Sequence, residues 1–73
     1  MKIYMLDRGD CKRNYHGNYR KMIEADEYME FDDERIRRAF NFGHGTEKDM
    51  ERFMEDNKCY YRFYDAENSR YIC

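Results

Sequence analysis

A chain of 73 residues with one leucine, four isoleucines and no valine cannot build an ordinary aliphatic core. What it has instead is eight tyrosines, five phenylalanines and six methionines. Leu, Ile, Val and Phe together fall below the roughly 20% at which disorder competes with folding. Two features oppose disorder. The net charge is only −2, and each aromatic ring buries a large area that offsets the missing aliphatics. The chain is therefore expected to fold as a single domain over 1–73, around Phe, Tyr and Met. A domain this small buries only about 60% of the surface its unfolded chain exposes, which leaves no room for a catalytic cleft plus a substrate domain.

Apolar periodicity sketches the elements. Lys2–Asp7 alternates Ile3 and Met5 against Tyr4 and Leu6, and having both faces apolar suggests a central strand. Arg8-Gly9-Asp10 reads as a turn, and Cys11–Asn18 as a polar stretch with Gly17-Asn18 marking another. The segment Tyr19–Phe31 fits two patterns. A strand turns Ile23, Ala25, Met29 and Phe31 inward, whereas a helix joins Met22, Ile23, Ala25 and Met29 in a poorer stripe. Extended structure is the preferred reading for Tyr19–Ala25 and again for Tyr28–Phe31.

Helices follow. Asp32 is an N-cap candidate, with Asp33 and Glu34 where carboxylates suit the helix dipole, an apolar stripe of Ile36, Ala39 and Phe40, and Gly43 as the stop. A second helix takes Thr46 as N-cap and Met50, Phe53 and Met54 as its stripe, and ends at Asn57. Lys58–Tyr64 alternates Cys59, Tyr61 and Phe63 against Tyr60, Arg62 and Tyr64. After a turn at Asp65–Ser69, Arg70–Cys73 returns as a strand. The expected fold class is α+β: a small antiparallel sheet of three to five strands packed against two short helices on one face, in the rough order β(β)ααββ.

Charge is segregated. Arg8–Lys21 carries five bases against Asp10, while Glu24–Glu34 carries seven acids and no base. That acidic run is threaded with Tyr28, Met29 and Phe31, residue types that anchor interfaces. Were Tyr28 in extended structure, Glu24, Asp26 and Glu30 would share its face at the ~6.6–6.8 Å repeat of a strand, a linear array of negative charge. The block could equally be a solvated face that keeps an aromatic-rich chain in solution. As a binding site it points to Asp26, Glu27, Tyr28, Glu30, Asp32 and Asp33, with a basic, nucleic-acid-handling protein as partner.

No reaction is legible. The soft metal ligands are Cys11, His16, His44, Cys59 and Cys73, and they lack the close Cys–Cys or His–His pairs of zinc sites. Cys59 reads more simply as a small buried residue, and the odd cysteine count argues for reduced thiols rather than a disulfide framework. Sixteen acids generate many carboxylate pairs by chance, and Gly43-His44-Gly45-Thr46 lacks phosphate-loop spacing. The expectation is a non-enzymatic protein without metal or cofactor. With no apolar run long enough to span a bilayer or serve as a signal-peptide core, it is expected in the cytoplasm and away from membranes. Exposed edge strands and surplus tyrosines leave a homodimer open.

In size, charge pattern and tyrosine content the chain resembles the acidic accessory proteins by which phages and mobile elements block host nucleic-acid machinery, the anti-CRISPR and DNA-mimic inhibitors. The resemblance implies inhibition by occlusion and carries no residue over, because such proteins share no motif. The alternative is a single-stranded nucleic-acid binder that stacks bases on Tyr60 and Tyr64 beside Arg62, with Arg13 and Arg20 from the basic segment.

Overall fold

The computed structural model describes residues 1–39 and 47–72. The order is β1 (Lys2–Asp7), α1 (Arg8–Asn14), α2 (Tyr19–Glu24), β2 (Met29–Asp32), α3 (Asp33–Ala39), α4 (Glu47–Asn57), β3 (Tyr61–Asp65) and β4 (Arg70–Tyr71). The strands form one antiparallel sheet in the order β2-β1-β3-β4, so β1 is central, as its two apolar faces suggest. The fold class is α+β.

Register follows from which side chains each face must bury. Ile3 stands opposite Phe31 on β2, and Met5 opposite Met29 on β2 and Phe63 on β3. Ile3, Phe31 and Phe63 meet Ile36 of α3 and Met50 and Met54 of α4 in the larger core. Phe53 closes it, its ring 5.8 Å from Phe31 and 6.1 Å from Phe63. The Met50/Phe53/Met54 stripe thus packs as its spacing implied, and Asn57 ends the helix.

The other face is covered as well, which overturns the expectation of helices on one side only. Leu6, Cys11 and Met22 form a second buried cluster, with Tyr15, Tyr19, Ile23, Tyr28 and Tyr64 around it. The segment read as turns and extended chain supplies its two helices. Arg8-Gly9-Asp10 opens α1, because the Asp7 carboxylate caps it by accepting from the Asp10 N–H at 3.1 Å. Tyr19–Ala25 is not extended. Asn18 caps α2 by accepting from the Lys21 N–H at 3.2 Å, and Tyr19, Met22 and Ile23 fall at i, i+3 and i+4 on its inner face.

The strand β3 begins at Tyr61 rather than Lys58, so Tyr60 lies outside it with 70% of its surface exposed. Cys59 is exposed rather than buried. Gly43, Thr46, Phe40, His44 and Cys73 lie outside the described residues. No described helix is long and apolar enough to cross a membrane.

Candidate functional site

The acidic run divides at Asp26. That residue adopts φ 57°, just past the end of α2. The Asp26 N–H donates to the Ile23 carbonyl at 3.1 Å, and the Glu27 N–H to the Met22 carbonyl at 2.9 Å. This is the paired bonding of a Schellman stop, with Asp26 where glycine is usual. The chain reverses here. Glu24 therefore stays on α2, Asp26 sits in the turn and Glu30 lies on β2, so the linear array of Glu24, Asp26, Tyr28 and Glu30 does not form.

Several of the acids meet cations of the same molecule. Glu24 pairs with Arg20 at 3.4 Å, and Glu30 with Lys2 at 3.6 Å. Glu34 pairs with Arg38 one turn on. The Asp33 carboxylate accepts from the N-terminal ammonium at 2.8 Å, and Glu67 meets the same ammonium at 2.7 Å. Both carboxylates hold that ammonium, chiefly by hydrogen bonding, and its pKa is pushed up from 8.0 to about 10. Asp32 caps α3 by accepting from the Arg35 N–H at 2.8 Å. The far end of the acidic run is thus committed to helix capping and internal ion pairs. Arg35 and Arg38 stand among Glu30, Asp32 and Glu34 around one open cleft there.

Tyr28 is not a protruding anchor. It is half-buried, its ring stacked on Tyr4 with centroids 3.9 Å apart. Contact with the Tyr4 hydroxyl, then burial, then the carboxylates of Asp26 (to which the Tyr28 hydroxyl donates at 3.5 Å) and Glu30 push its pKa up to about 12.

What remains outward is a different surface. Asp26 and Glu27 are exposed and make no ion pair among the described residues. Glu27 borders a cleft of about 320 Å³ lined also by Met5, Met22, Tyr28, Met29 and Tyr61 and by the half-buried Asp7 and Asp10. Met29 keeps 42% of its surface exposed. Asp7 and Asp10 escaped the sequence reading because they precede the acidic run by some fifteen positions. Only the β1–α1 junction brings them beside it. Asp10 is shared with Arg13 in a contact within α1.

The residues of the alternative site are also redistributed. Arg62, Tyr64 and Arg20 come together near α2, where the Arg62 guanidinium lies 4.9 Å from the Tyr19 ring and 4.1 Å from the Tyr71 ring. Tyr60 is at the opposite end of β3, next to Arg8, whose N–H donates to the Tyr60 carbonyl at 3.0 Å. Arg13 folds back over Gly9 at the start of α1, away from that group. Tyr71, which periodicity placed only as a strand residue, joins instead.

Among the described residues no group of three or more His, Cys, Asp and Glu could hold a metal ion. The Cys11 thiol is buried with Leu6 and Met22, and burial pushes its pKa up, away from the thiolate a nucleophile needs. Comparison with protein-family models, with curated proteins and with solved structures gives no match to this chain.

Proposed function

We propose that this chain is a non-enzymatic binding protein that docks an acidic cleft lined by methionine and tyrosine on a basic surface of a protein partner. The observation that supports it best is the cleft at the start of β2. Exposed Met29 lines it beside Glu27, which makes no ion pair among the described residues, while Asp7, the cap of α1, and Asp10, paired with Arg13, complete its acidic side. Apolar contact surface and flanking negative charge are the parts of a protein interface, the first supplying desolvated contact area and the second steering a basic partner to it. Within the acidic run, Asp26 and Glu27 are then the docking residues, and Met29 rather than Tyr28 is the anchor.

The partner class that fits is a nucleic-acid-handling protein, whose basic groove such a surface would occupy and so inhibit, in the manner of phage-encoded anti-CRISPR and DNA-mimic inhibitors. The size and charge segregation of the chain support that finer reading.

The test is capture from a nuclease-treated host lysate on immobilised protein, in parallel with Glu27→Lys and Met29→Asp. A basic protein retained by the native chain and lost by both variants is the expected result. Its nucleic-acid binding should fall as the purified chain is added. Equal retention by the native chain and Glu27→Lys would refute the proposed docking site.

A further inference from the structure

The geometry points to a second site, on the opposite edge of the sheet: a groove between α2 and the β3–β4 hairpin that takes the unpaired bases of a single-stranded nucleic acid. The groove measures about 460 Å³ and is lined by Arg20, Ile23, Glu24, Tyr64, Ser69 and Tyr71. It shares no lining residue with the acidic cleft, although both border α2.

Three features converge on this ligand class. First, the platform is preorganised. Arg62 is held between Tyr19 and Tyr71, and Tyr64 meets Tyr71 edge-on with centroids 4.9 Å apart. Tyr71 is thereby fixed on two sides while 37% of its surface stays exposed. A fixed, partly open ring beside a cation is the arrangement on which unpaired bases stack, and it tolerates any base because each has a π-face.

Second, cations stand at the platform although the chain is acidic overall: Arg62 lies 4.1 Å from the Tyr71 ring and Arg20 lines the groove, with Glu24 as the acid beside it. Arg62 and Arg20 both lie close enough to Tyr71 to favour its phenolate, opposing the burial that raises its pKa. Arg20 is the contact for a phosphate. Its pairing with Glu24 is between side chains 87% and 65% exposed. Such surface pairs contribute little, so the guanidinium can exchange Glu24 for a phosphate oxygen at small cost.

Third, the hairpin offers a polar lip. Ser69 borders the groove, where its hydroxyl can donate to or accept from a base edge. Hydroxyl, ring and guanidinium together suit a nucleotide better than an aliphatic ligand or a bare anion.

The test is titration of the isotope-labelled full chain with the oligonucleotide dT6 and with an abasic oligomer of the same length, followed by amide chemical shifts. At about 20 mM salt, dT6 is expected to move the amides of Ile23, Ser69 and Tyr71 saturably, and the abasic oligomer to bind at least about tenfold more weakly. Tyr71→Leu keeps an apolar side chain against Tyr64 and should weaken dT6 about tenfold. Arg20→Glu, at an exposed α2 position, should weaken it too and flatten the log–log salt dependence by about 0.7. Unmoved groove amides, or an abasic oligomer that binds as well as dT6, would overturn the site. So would native affinity in a folded Tyr71→Leu protein. If Tyr71→Leu lowers folding, native affinity and salt dependence in Arg20→Glu overturns it by itself.

Discussion

The rings of Tyr4 and Tyr28 stack with their centroids 3.9 Å apart and their planes inclined by 22°. The pair ties the segment after α2 to the central strand, and Tyr64, 6.0 Å from Tyr4, continues the row across the sheet. Tyr28 is therefore a packing residue first. Tyr28→Ala should destabilise the domain by about 2–3 kcal/mol in urea denaturation. Tyr28→Phe keeps the stack, loses the hydroxyl contact and should cost about 1 kcal/mol. In an alkaline absorbance titration, a tyrosine transition near 12 should be lost in Tyr28→Phe.

Asp26 separates a structural role from a recognition role. At φ 57° an L side chain is strained and glycine is not. Asp26→Gly should raise stability by about 0.5–1 kcal/mol, while Asp26→Ala should lower it. Denaturation midpoints of the two variants check the sign. Should Asp26→Gly also bind the partner more weakly, the loss is the carboxylate's and not the fold's.

Phe63 is fully buried where β3 meets α4. Phe63→Ala should cost about 3–5 kcal/mol. In a domain whose total stability is of that order, the expected outcome is loss of cooperative unfolding and of amide dispersion.

The N-terminal ammonium makes stability fall in mild base. Its folded pKa, about 10, lies above its ordinary 8.0, so the contribution is complete below pH 8 and lost as pH rises through about 10. The Asp33 and Glu67 side chains are 71% and 53% exposed, so solvent screens the cluster and the loss should be about 0.5 kcal/mol. Stability measured from pH 7.5 to 9.5 should decline in the native chain and stay flatter in Glu67→Gln.

Legibility in the sequence tracked how many residues an element buries. Met50, Phe53 and Met54 repeat over an eleven-residue helix, so α4 was readable. The helix α1 has Cys11 as its one fully buried residue and α2 has Met22, each in seven residues or fewer. A period of 3.6 cannot be recognised from so few turns. Their caps were visible as letters, Asp7 and Asn18, but the same letters also mark turns. The missed α2 then misplaced the site, because extended structure through Tyr19–Ala25 was what aligned Glu24 and Asp26 with Glu30.

The sequence by itself determined that the core would be aromatic and methionine-rich, that β1 would be central, and that acids and bases would be segregated. Those are properties of composition and of period two, which need no partner to be read. Only the tertiary structure decided which charges stay available. Lys2 reaches Glu30 across the β1–β2 pair, and the N-terminal ammonium reaches Asp33 from thirty-two positions away. Asp7 and Asp10 come beside Glu27, and Arg62 comes between Tyr19 and Tyr71. Electrostatic interaction depends on distance through space and on solvent exposure, neither of which is a property of sequence separation.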